Sequence, residues 1–331
     1  MICSKCGLAT LEGFRFCPKC GMRLDRPPVK IDRSKLKGPR DAYMKVIQGR
    51  ESIDKAVPPL WIWVMLFIYL FWLISSIVIA FSVAIDALNE NPSDPDMELL
   101  FDEMKRNMSV PIVFGFFFYF LTAALGYTII SRMNNHYDRD RNVRAASVSL
   151  ISAGTSTPAS KVEVGGELFA MNRTDELISS EEKKRNPIFW ALLLALPLLI
   201  SVLQYATMFN SDSYSHYQRI SPLFSLAMFL TYLPILYISY SLSKSVFEHH
   251  RQWADFANQT TAAVNELDMG AMDGYWGGTV PSRPYVVYVI VTGITFGLFM
   301  FYWWYTIIKD LNQHFVAHRD FEDNLARSIS Q

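Results

Sequence analysis

Beyond Cys20 the chain contains no cysteine, and five long stretches contain no Asp, Glu, Lys or Arg: residues 56–85, 107–131, 186–211, 221–243 and 284–308. The first absence rules out a disulfide framework or a thiol nucleophile anywhere past the N-terminus. The second rules out an ordinary soluble surface over those stretches. Charge of one sign is not in excess either, with 31 basic against 31 acidic residues, so net charge favours neither nucleic acid nor an acidic partner. The glycine-rich piece MGAMDGYWGGTVPSRP, residues 269–284, has neither GxxxxGK nor GxGxxG spacing and offers no phosphate cradle.

What is present is apolar, at 51% hydrophobic and 14% aromatic residues. About 20 apolar residues in a helix cross the hydrocarbon core of a bilayer, and each uncharged window reaches that length. A proline stands near the start of every window (Pro58 and Pro59, Pro111, Pro187, Pro222, Pro284), where a missing amide donor costs nothing. The sequence thus predicts an all-α polytopic membrane protein with five apolar helices, four or five of them spanning. No signal peptide precedes the first window, so the first span is expected to direct insertion. The windows also lack histidine, which removes the intramembrane ionisable groups that transporters and proton relays use.

All four cysteines form two knuckles, Cys3-Ser-Lys-Cys6-Gly and Cys17-Pro-Lys-Cys20-Gly. This spacing sets four thiolates around one tetrahedral ion, and each following glycine permits the tight turn that aims amides at sulfur. Two disulfides are the alternative. The pattern resembles the small zinc ribbons at the N-termini of many prokaryotic membrane proteins and covers residues 1–22. With four sulfur ligands the zinc is structural, and reduced thiolates place the N-terminus in the cytosol.

Residues 23–57 form a basic linker, expected to rest on anionic lipid beside the first span. The acidic segment 86–106 faces the other side of the cell membrane by the positive-inside tendency. The remaining parse is a helix pair with cytosolic extension at 58–145, a flexible cytosolic loop at 146–185 containing a short hairpin (KVEVGGELFAM), a second pair with extension at 186–257, a glycine-rich connector at 258–283, and a last apolar helix with amphipathic tail at 284–331.

One exit from the membrane is written three times: YTIISRMNNH (Tyr127–His136), YSLSKSVFEH (Tyr240–His249) and YTIIKDLNQH (Tyr305–His314). Seven residues return to the same helical face, so Tyr127 shares a face with Asn134 and Tyr305 with Asn312, while the histidines point the other way. If the extensions bundle, His136, His249, His314 and His318 gather as a second metal site, the last two at the spacing that lets neighbouring imidazoles share an ion. The alternative is that exposed amphipathic helices simply collect polar residues. No acid recurs beside the three histidines at a fixed position, which favours that alternative.

Residues Thr295-Phe-Gly297-Leu-Phe-Met-Phe-Tyr302-Trp303 resemble the Thr-x-Gly-Ile-Tyr-x-x-Tyr-Trp signature of an uncharacterised prokaryotic membrane domain that is often joined to a zinc ribbon. That resemblance implies architecture and no reaction. The fifth window poses a conflict. Its length favours spanning, which puts the C-terminus outside, whereas the repeated exit puts His314 on the same side as His136 and requires a re-entrant segment broken at Gly293 and Gly297. The expected function is a non-catalytic membrane protein whose zinc ribbon engages a cytosolic protein partner in a regulatory or scaffolding role, with no nucleic acid involved. The alternative is a metal-dependent membrane transporter or enzyme using the histidine cluster. Replacing Cys3, Cys6, Cys17 and Cys20 by serine is expected to lower the zinc content of the purified protein by one equivalent while the membrane region stays folded. An unchanged zinc content, or disulfides found under thiol-trapping isolation, contradicts the ribbon.

Overall fold

The computed structural model describes residues 31, 33–90, 97–155, 158–211, 213–272 and 280–330. The zinc ribbon and its four cysteines lie outside these residues. The elements in order are a 3-10 turn, Arg33–Leu36, then α1 (Lys37–Gln48), α2 (Arg50–Ile53), α3 (Leu60–Glu90), α4 (Met97–Asn107), α5 (Ser109–Gly154), α6 (Pro158–Glu181), α7 (Pro187–Asn210), α8 (Tyr214–Glu266), α9 (Tyr285–Ile294) and α10 (Leu298–Ser328). Among the described residues four helices are long and apolar enough to cross a membrane: α3, α5, α7 and α8. Their outward faces carry large exposed apolar side chains such as Phe67, Phe117, Leu192 and Phe229, which only lipid could cover favourably. The protein is an all-α multi-pass membrane protein.

The chain is arranged as three helical hairpins, α3 with α5, α7 with α8, and α9 with α10. The second helix of each continues well past its apolar window as a charged extension. In α5, α8 and α10 these extensions share one register, set by the three exit sequences. Seven positions before the histidines stand Ile129, Leu242 and Ile307, and three before stand Met133, Val246 and Leu311. Seven after stand Val143, Phe256 and Phe321, and fourteen after stand Leu150, Ala263 and Ser328. All twelve are buried. The 7-residue step keeps one face of each helix turned inward over about 30 Å of rise.

The two exit asparagines do matched work. Asn312 takes both polar atoms of the Val57 peptide, accepting from its N–H at 2.9 Å and donating to its C=O at 2.9 Å. Asn134 does the same to Arg185, accepting at 3.2 Å and donating at 2.6 Å. Each clamped residue lies just ahead of the prolines that open a span, Pro58 and Pro187, where the chain has left one helix and not yet begun the next. The clamp satisfies backbone groups that would otherwise be orphaned at the membrane edge.

The segment expected to be a flexible loop is helical. α5 runs to Gly154, and α6 replaces both the low-complexity tether and the hairpin. The reason is a sparse heptad: Val164, Met171 and Ile178 are fully buried in one core with Trp253 and Phe256 of α8, each contributing about 1.5–3 kcal/mol. Gly165 and Gly166 have open space around them and do not break the helix. The glycine-rich connector likewise begins later than expected, because α8 runs to Glu266. The linker is not a free tether either. α1 packs Tyr43 and Ile47 into the core of the extensions.

The fifth window does not span, which overturns the expectation of a C-terminus on the opposite side from the N-terminal arm. α9 has 10 residues, about 15 Å of rise and half the ~30 Å hydrocarbon thickness. The chain then turns at Phe296 (φ 50°) and Gly297 (φ 89°) and returns as α10. Length and composition could not reveal this break, because isolated glycines are common in spanning helices. The turn closes its own hydrogen bonds, with Gly297 N–H donating to Thr292 C=O at 2.8 Å and Phe299 N–H to Thr295 Oγ1 at 3.0 Å. Tyr69 Oη, midway along the first span, donates to the Phe296 carbonyl at 2.8 Å. An unpaired carbonyl there would cost several kcal/mol. A cysteine placed at exposed Ser330, in a protein lacking the four native thiols, is expected to resist a membrane-impermeant maleimide on every preparation in which a cysteine at Lys45 also resists, and to react whenever that one reacts. Opposite labelling of the two positions contradicts the re-entrant hairpin.

Candidate metal centre

The three exit histidines meet on the axis of the extensions. Ring centroids of His136, His249 and His314 are separated by 5.6, 5.0 and 5.0 Å, a near-equilateral triangle contributed by α5, α8 and α10. The next layer, four residues on, holds Asp140, Trp253 and His318. His318 stacks on Trp253 at 4.1 Å and stands 4.1 Å from the ring of His314. The structure therefore brings together all four histidines named from the sequence. They are buried, not displayed on exposed amphipathic faces, with 0–6% of each side accessible.

One nitrogen from each of His136, His249, His314 and His318 lies within 4.8 Å of the other three. His136 Nε2 and His314 Nε2 face each other at 3.0 Å. Imidazole nitrogens 2.0–2.1 Å from a tetrahedral zinc stand about 3.3 Å apart, so this pair, now at hydrogen-bond distance, would open only slightly around such an ion. The opposite nitrogens are held from outside. His136 Nδ1 meets Asp54 Oδ1 at 2.9 Å, and His314 Nδ1 meets His250 Nδ1 at 3.0 Å. A metal-bound imidazole typically has its second nitrogen oriented this way. Burial pushes His249, His314 and His318 well below the ordinary imidazole pKa, and the neighbouring histidines push in the same direction. Burial alone brings His250 down to about 4. These three buried histidines are thus neutral at physiological pH, the state that ligates a metal.

The acids reach the histidines from two sources: Asp54 and Glu182 come from elsewhere in the chain, while Asp140 and Glu322 stand one turn after His136 and His318 on α5 and α10. Asp54, just after α2 in the N-terminal arm, holds His136 with one oxygen and Arg139 with the other. Burial would raise its pKa, but His136 and Arg139 outweigh it and hold the carboxyl below its usual range. Arg139 also pairs with Glu322 of α10 at 2.6 Å, and Arg50 of the arm lies 3.6 Å from the same carboxylate. Asp140 and Glu182 flank His249 at 3.6 and 3.8 Å. Burial raises Asp140 to about 7 despite Arg144 beside it.

Asp140, Glu182 and His249 are close enough to suggest a second cation position. Arg144 already fills that role. Its guanidinium contacts Asp140 and reaches Asp175 at 2.6 Å and Glu182 at 2.8 Å. This cluster is better described as a charged frame around the imidazoles. Within it His249 Nε2, Asp140 Oδ1 and Glu182 Oε2 are buried without a hydrogen bond among the described residues, a costly arrangement for a core that binds nothing. A cavity of about 30 Å³, the size of one water, opens onto His249 and Glu182 between α6 and α8, with Glu181 and Glu248 at its mouth.

A zinc-ribbon domain family matches residues 2–24, which include all four cysteines. No curated protein and no solved structure matches the chain. The family match does not extend to residues 295–303, so their resemblance to an uncharacterised membrane domain stands on those residues alone. Replacing Arg144 by methionine should destabilise the protein by about 3–5 kcal/mol, because Asp140 and Glu182 are left as buried, uncompensated acids. Replacing Lys184, whose pair with Asp138 is half exposed on both sides, should change stability by under about 1 kcal/mol. Thermal unfolding in lipid nanodiscs separates the two.

Proposed function

We propose that this is a metal-regulated, non-catalytic module of the cell membrane, in which a divalent ion of the zinc type binds His136, His249, His314 and His318 and locks three cytosolic extensions together. The carrying observation is the convergence of four buried imidazoles whose outer nitrogens at His136 and His314 are already held by Asp54 and His250. An all-imidazole set suits zinc, copper or nickel better than magnesium or calcium. A structural or sensing role fits better than catalysis. Four imidazoles suffice to complete a tetrahedral set, and the adjoining cavity admits a water but no substrate.

Asp54 makes the ion relevant to the rest of the chain. It stands in the arm that joins the zinc ribbon to the first span, and it orients His136. Metal binding and arm docking are therefore linked, each strengthening the other by the same free energy. In this reading the ribbon is presented to a cytosolic protein partner in a position that depends on whether the His centre is loaded. Basic residues on the exposed side of the arm, including Lys37 and Lys45, would meet anionic lipid.

Metal analysis tests the proposal. Wild-type protein is expected to hold two ions, the four-cysteine variant one, and a His136→Asn, His314→Gln variant one. A single ion in the wild type, lost with the cysteines, overturns it. The coupling has its own readout: chelation of the His-bound ion should increase tryptic cleavage at Lys45 and Arg50 several-fold, and Asp54→Asn should give the same cleavage without chelator.

A further inference from the structure

The re-entrant turn leaves space on the axis of the bundle. Two heptads before the histidines, the three exit helices still contribute in register as Thr122, Ile235 and Met300. Three residues further out the positions are Tyr119, Tyr232 and Gly297, and there the third helix ends, because α10 begins at Leu298. Beyond this level α5 and α8 continue without their third partner. At and just inside this level lies a cavity of about 590 Å³ between α3, α5, α8 and the hairpin, within the range of small-molecule sites.

Access to this cavity is one-sided. Towards the histidines it is closed by the stacked layers Ile129, Leu242, Ile307 and Met133, Val246, Leu311, each side chain 0–2% exposed. Laterally it is bordered by Phe296 at 88% exposure and Phe229 at 65%, both on the surface that faces lipid. No charged residue lines it. Only a molecule already dissolved in the bilayer can reach it, and a charged one would be left unpaired there at prohibitive cost. The wall is not uniformly apolar. Tyr69 is committed to the Phe296 carbonyl, while the hydroxyls of Tyr119 and Tyr232 interact with each other at the cavity wall. A pair of phenols supplies at most one donor to the other, so one hydroxyl hydrogen remains to be given to a guest.

We propose that this cavity binds an uncharged lipid with a single long chain and one hydroxyl or carbonyl group, the polar group meeting the Tyr119–Tyr232 pair and the chain lying between the hairpin and α8. The site stands independently of a metal at the histidines.

A long-chain fatty alcohol bearing a photoactivatable diazirine, applied to the full-length protein in nanodiscs, tests it. Labelling is expected at Met300 and Tyr232, and excess unlabelled alcohol should abolish it there without affecting lipid-facing Phe209. A side chain built at Gly293 meets nothing within 4 Å, so Gly293→Phe should fill the cavity without backbone strain and reduce Met300 labelling at least fivefold. Tyr232→Phe should weaken labelling by the alcohol and leave labelling by the corresponding hydrocarbon unchanged. Failure of competition at Met300 in the unmodified protein overturns the proposal whether or not the variants fold. So does equal labelling of Met300 by a diazirine phospholipid, which would mean that bulk acyl chains fill the space.

Discussion

Polar side chains at the centre of a helical bundle have to be paired, and three helices locked in one register are what permits that pairing here. A histidine in the middle of a lone extension would face water and cost nothing. Three of them on one axis cannot, and the rest of the extension side follows from their enclosure. Asp54 must come in from the arm, Arg139 must bridge to Glu322, and Arg144 must hold three acids. Replacing such a network by apolar residues of similar volume is often neutral or stabilising, so packing alone does not explain its presence. A cation bound as proposed would give it a purpose.

The exit repeat made part of this legible in advance. Its tyrosine-to-histidine step fixed which residues share a level in α5, α8 and α10, and the uncharged windows marked the four spans. What was hidden has specific causes. Asp54 and Glu182 come from parts of the chain remote in sequence from the histidines they meet, so no spacing rule links them, whereas Glu322 stands one helical turn after His318 on α10 and is linked by a four-residue step. α6 was misread because its buried face is a single residue per heptad, Val164, Met171 and Ile178, amid glycines and small polar residues that resemble linker. The break at Phe296 and Gly297 was signalled only by the repeated exit, which asked for a re-entrant segment broken at Gly293 and Gly297, and length argued against it because a hairpin half the depth of the bilayer has the same apolar length as one spanning helix.

The hairpin is also what divides the molecule into two chemistries along one axis. On the extension side three helices close around imidazoles. In the membrane three helices and the hairpin leave a cavity walled mainly by apolar side chains. Two buried layers of apolar side chains separate them, so a guest in the cavity and an ion at the histidines would act on each other through the three helices that border both, α5, α8 and α10.

The asparagine clamps give that hairpin a distinct place in the assembly. Asn134 fastens the first hairpin to the entrance of the second, and Asn312 fastens the third to the entrance of the first. The corresponding residue of the second is Phe247, which cannot grip a peptide. At the third entrance Arg283 instead pairs with Asp310 of its own hairpin, at 2.6 Å, and the second and third hairpins are joined through side chains: Trp303 and Trp304 donate their indole N–H groups to Ser243 and Ser239 of α8 at 2.8 and 2.9 Å, and Tyr240 meets Tyr285 edge-on. The three hairpins form a ring in which an asparagine grips a peptide at two joints and indole groups reach serine hydroxyls at the third, so the shortest hairpin, which holds two of the four imidazoles, is tied to the second by tryptophans where the other joints use a clamped backbone.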